Sequence, residues 1–323
     1  MVSRLMRRTV ALGGLLTAGA VVARRTDERW ARAQDPTRPE DYVVPSGEAR
    51  VVTTDDGAEL AVTIAGEGPT VVLSHCWTGA REVWAPVAHR LIRSGNRVVM
   101  YDQRGHGSST LGSDGCTIAR LGADLAAVLE QLDIRDAILA GHSMGSMTVL
   151  SLAAHQREVL VERARGLVLV STAANGLGFG PIDTLLQKVI GASFIDPIVR
   201  SAIGPALVRA TVGRRACRRH LVLTRDMLVA CPPPVRAACL RAMQAMDLRP
   251  DLRGLDIPTT IVSGRFDGLT PPWLARQVSA CITGSTVVSV PSGGHMLVLE
   301  VPDQIAEVIV AAVAAHEPVI SLT

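Results

Sequence analysis

Aromatic side chains are scarce in this sequence: Phe, Trp and Tyr make up 3% of its 323 residues. A surface that stacks exposed bases needs such rings, so the composition argues against a nucleic-acid partner. Lysine is nearly absent, with Lys188 alone among 33 basic residues; arginine carries the positive charge, a bias with no mechanism attached. The six cysteines, Cys76, Cys116, Cys217, Cys231, Cys239 and Cys281, include no C-x-x-C pair. No metal site is therefore indicated, and they read as isolated small buried residues, with disulfides open to an exported chain. No low-complexity tract argues for disorder, and 48% hydrophobic residues suffice for a substantial core.

The net charge of +3 misleads as a global figure. Residues 1–33 hold seven Arg against Asp27 and Glu28, which leaves the remainder at about −2. A mildly acidic body gives no polyanion-binding signal. Within that first segment a basic start precedes fifteen uncharged residues, Thr9 to Ala23, and then Arg24 and Arg25. Fifteen is short of the ~20 that a spanning helix needs and suits the apolar region of an export signal. Arg7-Arg8 before an Ala/Gly-rich core loosely resembles a twin-arginine signal. The segment reads either as a cleaved signal or as an anchoring helix. The expected location is exported or membrane-associated in the cell envelope, with the cytoplasm as the alternative.

After a Pro-containing linker at 34–47, β-branched runs alternate with helical patterns. Residues 49–66 read as a hairpin turning at Asp55-Asp56-Gly57. Strands are expected at 70–76, 97–103, 136–143, 166–173, 258–267 and 285–293, the central ones unbroken apolar runs as when both faces are covered. Helices are expected at 83–95, 117–132, 144–164, 271–281 and 302–316. This rhythm implies an α/β fold, a mostly parallel eight-stranded sheet flanked by helices. It breaks at 174–256, where only helical material occurs; that insertion reads as a cap over the site. The core is then 48–173 together with 257–316.

In such a sheet, chemistry gathers beyond the carboxyl ends of the strands. Ser143, Asp267 and His295 fall at three different strand ends in the chain order Ser, Asp, His, which is the order that accompanies a nucleophile elbow. From about 48 to 316 the chain resembles the α/β-hydrolase fold superfamily. The resemblance rests on "GHSMG" (141–145), "YDQRGHGSS" (101–109), "SGRFDGLTP" (263–271) and "GGHM" (293–296) in matching order. It implies Ser143 as nucleophile, His295 as base and Asp267 as the acid that orients it, with no cofactor. The oxyanion hole would take the backbone N–H of Met144, just after the nucleophile, and of Trp77, in the loop after the 70–76 strand. One departure stands at that loop, where the family has His-Gly and this chain has His75-Cys76.

Residue identity prunes the chemistry further. Dehalogenases and epoxide hydrolases of this fold carry Asp at the elbow, and its hydroxynitrile lyases use a lysine near the acid; the lone Lys188 lies in the cap. Carboxylic-ester hydrolysis remains, of a short-to-medium acyl ester or a monoacylglycerol-like substrate. A perhydrolase or cofactor-free haloperoxidase-like activity and carbon–carbon bond hydrolysis stand beside it. A non-catalytic binding protein would have an eroded triad. The largely aliphatic stretch 182–208 favours an acyl chain over an aromatic substrate. Asp102, Arg104 and His106 are expected to hold loops together, His142 to pack under the elbow, and Asp56, Asp183 and Asp196 to lie at the surface. Residues 213–220 read as a solvated face of a cap helix, or as a cationic edge for an anionic lipid surface.

Overall fold

Largely apolar runs such as "TVVLS" and "AILAGH" bury side chains on both sides, which places them at the middle of a covered sheet. The computed structural model describes residues 34–178, 183–201, 204–214 and 216–315; the segment 1–33, expected to be a signal or anchor, lies outside them. Its strands are β1 (Glu48–Thr53), β2 (Glu59–Ala65), β3 (Thr70–Ser74), β4 (Arg97–Tyr101), β5 (Ala137–His142), β6 (Ala164–Val170), β7 (Thr259–Gly264) and β8 (Thr286–Val290). They form one sheet in the order β1-β2-β4-β3-β5-β6-β7-β8. β2 runs antiparallel to both its neighbours, and every later pairing is parallel. The eight-stranded, mostly parallel α/β architecture expected from the sequence is what the chain adopts.

Strand alternation divides the core into two layers. Val72, Leu139 and Leu169 face one side and pack with α2 (Ile118–Gln131) and α3 (Met144–His155). Val71, Leu73, Ile138 and Val168 face the other side and pack with α1 (Ala85–Arg93) and α12 (Pro302–Ala314). The order between these helices is completed by α4 (Arg157–Arg163), the helices of the insert, α10 (Pro272–Cys281) and α11 (Leu297–Glu300). The insert between β6 and β7 contributes α5 (Asp183–Ile190), α6 (Asp196–Arg200), α7 (Gly204–Leu207), α8 (Arg218–Ala230) and α9 (Pro233–Ala245). Among the described residues no helix is long and apolar enough to cross a membrane.

Local departures from the expected pattern have physical causes. The helix expected at 144–164 breaks at Gln156, whose backbone (φ −138°, ψ 50°) leaves the helical region, and a short second helix follows. β6 then starts at Ala164, two residues early, because Ala164 pairs with Ala137 ahead of a register shift. Asp56 is not a surface residue. Its carboxylate accepts from both Arg104 terminal nitrogens (2.9 and 3.0 Å), and Arg104 also grips Asp124 at 2.6 Å through two nitrogens. Arg104 is fully buried and further donates to the Leu111 and Gly115 carbonyls, so it fastens the 105–115 loop to the hairpin. Asp196 is partly covered and pairs with the buried Arg236 at 2.8 Å; the side chain of Asp183 lies outside the described set. Among the described residues of the 213–220 stretch, Arg214, Arg218 and Arg219 are exposed, while Gly213, Ala216, Cys217 and His220 turn inward.

The turn between β5 and α3 is a place of very close backbone approach. A Cβ at Gly145 would stand 2.0 Å from the Ser74 carbonyl oxygen, and one at Gly141 would stand 2.5 Å from the Gly145 carbonyl. Replacing Gly145→Ala is therefore expected to lower stability by about 1–3 kcal/mol or more, measured by urea unfolding; an unchanged midpoint would contradict this packing. A second expectation follows from Asp56. The Arg104 hydrogen bonds outweigh its burial and hold its carboxyl well below the usual value. Its contribution is thus fully present above the unfolded-state value of about 3.9 and lost as pH falls towards the folded one. Asp56→Asn should cost about 1–3 kcal/mol at pH 7, with the gap to the parent narrowing below about pH 4. A gap that widens on acidification would refute the assignment.

Candidate active site

Ser143 sits at the hinge between β5 and α3 with φ 54° and ψ −115°, a region that side chains rarely occupy. The backbone is held there from both sides. The Ser143 N–H donates to the Val170 carbonyl at 2.8 Å, and Ser146 Oγ donates to the Gly141 carbonyl at 2.6 Å. The result is a side chain lifted off the carboxyl edge of the sheet, 5% exposed.

His295 comes from the loop after β8 and Asp267 from the loop after β7. His295 Nε2 lies 2.9 Å from Ser143 Oγ, and its Nδ1 lies 2.9 Å from Asp267 Oδ2. All three residues are at most 5% exposed. Burial alone would push the Asp267 carboxyl up; the facing His295 and hydrogen bonds from His295 and Thr270 outweigh it and hold the group below its ordinary range. Asp267 Oδ1 accepts the N–H groups of Leu269 (2.9 Å) and Thr270 (2.7 Å), while Thr270 Oγ1 donates to Oδ2 at 2.7 Å. An ionised carboxylate fixed in this way accepts the Nδ1–H hydrogen bond and keeps the ring proton on Nδ1, which leaves the Nε2 lone pair facing the serine hydroxyl.

Two further histidines hold the frame. His142 is fully buried, and burial drives its pKa down to about 3, so the ring is neutral. Its Nε2–H donates to the His295 carbonyl at 2.8 Å, where Ser171 Oγ also donates at 3.1 Å. His75, likewise neutral with its pKa lowered to about 3 by burial, donates from Nδ1 to the Cys76 carbonyl at 2.8 Å. Its Nε2 accepts the Gln103 N–H at 2.8 Å. The Gln103 side chain then donates to the His75 carbonyl (2.6 Å) and accepts from Thr148 Oγ1 on α3 (2.6 Å). This chain of bonds ties the loop after β3 to the helix that carries the elbow. Gln103, Thr148 and Thr270 were not singled out by the sequence; their partners lie 25 to 45 residues away or across a turn, beyond the reach of any local pattern.

Met144 opens α3, so its N–H lies outside the i to i−4 ladder. Trp77 and Thr78 follow β3 in a turn closed by the Gly79 N–H to the Cys76 carbonyl (3.1 Å), with Thr78 at φ 61°. The Cys76 side chain is 4% exposed, and burial pushes its thiol up to about 12, so it remains a neutral packing group beneath the turn. Trp77 is half-buried, and its indole N–H donates to the Arg236 carbonyl on α9 at 3.1 Å.

Above these residues lies a cavity of about 360 Å³, within the range of small-molecule sites. Ser143, His295, Trp77 and Thr78 line its floor, and Ile190, Leu207, Met227, Leu228 and Leu240 line the insert side. The histidine loop is joined to that insert by its backbone. The His295 and Met296 N–H groups donate to the Thr211 carbonyl, and Arg214 N–H donates to Ser292. Buried Glu300 accepts from the Gly213 (2.9 Å) and Gly294 (3.1 Å) N–H groups, which leaves the two glycines too close for either to carry a Cβ.

One trio of metal-ligand type occurs among the described residues: Asp35, Cys217 and His220. Sequence spacing gave no hint of it, since Asp35 lies in the distant linker. Both imidazole nitrogens of His220 are already engaged, Nδ1 by the Cys217 N–H (3.3 Å) and Nε2 by the Tyr42 hydroxyl (3.2 Å). The trio anchors the linker to the start of α8.

Residues 71–308 match the model of the alpha/beta hydrolase family. A non-heme chloroperoxidase of Kitasatospora aureofaciens is 28% identical over 78% of this chain and 94% of its own length. Among solved structures, a hydrolase from Pseudomonas aeruginosa is similar at 28% identity and a TM-score of 0.69, covering 83% of this chain and 99% of that one. A thermophilic esterase from Thermogutta terrifontis is similar at 25% identity and a TM-score of 0.70, again over 83% and 99%. With its sheet order, its strand-end site and a family match over most of its length, the chain belongs to the alpha/beta hydrolase family.

Proposed function

We propose that this chain is a serine hydrolase that cleaves a carboxylic ester of short-to-medium acyl length through an acyl-enzyme. The observation that supports the reading most directly is the unbroken line from Ser143 Oγ through His295 to Asp267 at the floor of an apolar cavity. In this reading residues 174–256 are the cap over a core formed by 48–173 and 257–316, and its aliphatic lining receives the acyl chain. No aromatic side chain of the described insert residues lines the cavity, which fits a flexible acyl group better than a ring.

The serine hydroxyl is a weak nucleophile until a base removes its proton. His295 Nε2 takes that proton as Oγ attacks the ester carbonyl, and Asp267 stabilises the imidazolium so formed. The carbonyl oxygen gains negative charge, and the backbone N–H groups of Met144 and Trp77 are the proposed donors to it. Each such donor is worth about 2.7–4 kcal/mol in the transition state. Collapse expels the alcohol, which receives the proton from His295. Water, deprotonated by the same nitrogen, then releases the acid and restores Ser143.

A second reading draws on the relatives described as non-heme haloperoxidase and chloroperoxidase, 25–28% identical to this chain. Hydrogen peroxide in place of water would release a peracid from the same acyl-enzyme. Peroxide-dependent bromination in acetate buffer that exceeds ester turnover would favour it.

A fluorophosphonate probe is expected to label the protein at Ser143 and to leave Ser143→Ala unlabelled; absence of labelling in folded protein would sink the reading. Asp267→Asn should lower kcat by about 10⁴-fold with an unchanged circular dichroism spectrum, since the wrong imidazole tautomer then faces the serine. A near-normal rate would remove the acid from Asp267. Across p-nitrophenyl esters, turnover should peak at short-to-medium acyl lengths, and flat negligible turnover would count against an esterase.

A further inference from the structure

Cys116 ends the loop between β4 and α2, and Cys239 lies in the middle of α9 on the insert. Nothing in their sequence spacing pairs them, for 123 positions separate them. In the fold their sulfurs meet at 2.6 Å, with both present as thiols. That is shorter than the roughly 2.7–3.2 Å between the smaller heavy atoms of an ordinary N–H···O bond.

Both backbones are firmly seated around this contact. Thr117 caps α2 by accepting the Arg120 N–H at 3.0 Å, directly after Cys116. Arg104 fixes the preceding loop through the Leu111 and Gly115 carbonyls. On the opposite side α9 rests on the same loop: a Cβ at Gly105 would stand 2.9 Å from Val235. α9 also receives the Trp77 indole at the Arg236 carbonyl and sends Leu240 into the cavity wall.

We propose that Cys116 and Cys239 are a cross-linking site, at which a disulfide joins the core to the helix that roofs the cavity. The oxidant is another disulfide, such as oxidised glutathione. Cys116, the half-buried and more accessible of the two, attacks as thiolate, forms a mixed disulfide and releases one glutathione thiolate. Cys239 loses its proton and displaces the second glutathione, so two protein thiols are oxidised and one small disulfide is reduced to two thiols. In the dithiol the adjacent Cys116 and burial raise the Cys239 thiol well above its ordinary value, which leaves Cys116 as the attacking thiol of the first step. The bond closes a long loop, restricts the unfolded chain and holds α9 against the Trp77 turn.

The site is independent of which substrate the cavity takes, and its test reads thiols. The full-length protein is incubated with oxidised glutathione, denatured, alkylated with iodoacetamide and digested with trypsin. Two of its six cysteines should escape alkylation, and the Cys116 and Cys239 peptides should appear as one reducible species. Phosphine reduction should restore all six thiols and lower Tm by on the order of 5 °C. In the folded Cys116→Ser variant the linked peptide and the Tm response to oxidant should both vanish. Six alkylated cysteines, or a linkage joining Cys239 to Cys231 instead, would overturn the proposal. The peptide map is read on the parent chain, so its outcome decides the matter even where a variant fails to fold.

Discussion

The site depends on one backbone constraint: Ser143 must hold a positive φ at the carboxyl edge of the sheet while α3 starts immediately after it. Strain of this kind persists only where the surroundings over-determine it. Here the determinants are the Val170 carbonyl that receives the Ser143 N–H, Ser146 Oγ folded back on Gly141, and a helix pressed so near β3 that position 145 has no room for a side chain. Had the turn relaxed into an ordinary strand–helix connection, Ser143 Oγ would leave His295.

Around that turn, neutral histidines act as struts and not as bases. His142 and His75 are driven to the uncharged form by burial, and each uses one ring N–H to hold a carbonyl in place. His142 thereby supports the backbone of His295, while His75, Gln103 and Thr148 couple the turn of Trp77 to α3. The insert enters the same network at Thr211, Gly213 and Arg214, all bonded to the histidine loop or to Glu300 just beyond it. The cavity wall and the histidine are thus one mechanical unit, so movement of the insert would be felt at His295 Nε2.

Much of this was legible in the sequence, because it followed from periodicity and order. The alternation of strands and helices gave the sheet, and the interruption of that alternation gave the insert. Strand ends nominated Ser143, Asp267 and His295, and the structure brings the three within hydrogen-bonding distance. What escaped depends on contacts between distant segments. Asp56 looked like a turn residue until Arg104 was seen reaching it, and 213–220 looked like one solvated face until Gly213 met Gly294. The break at Gln156 carries no Gly or Pro to announce it. Glu300 sits in a run of apolar residues and gains its meaning only from the two N–H groups it accepts.

The central claim is that Ser143 carries the acyl group during turnover. Rapid quenching after mixing with p-nitrophenyl butyrate, followed by peptide mass mapping, tests it most directly. A burst of p-nitrophenol matching the enzyme concentration, with a butyryl group on the peptide at Ser143, is the predicted result. Turnover of the ester with no acyl group on Ser143 at any quench time would contradict the account.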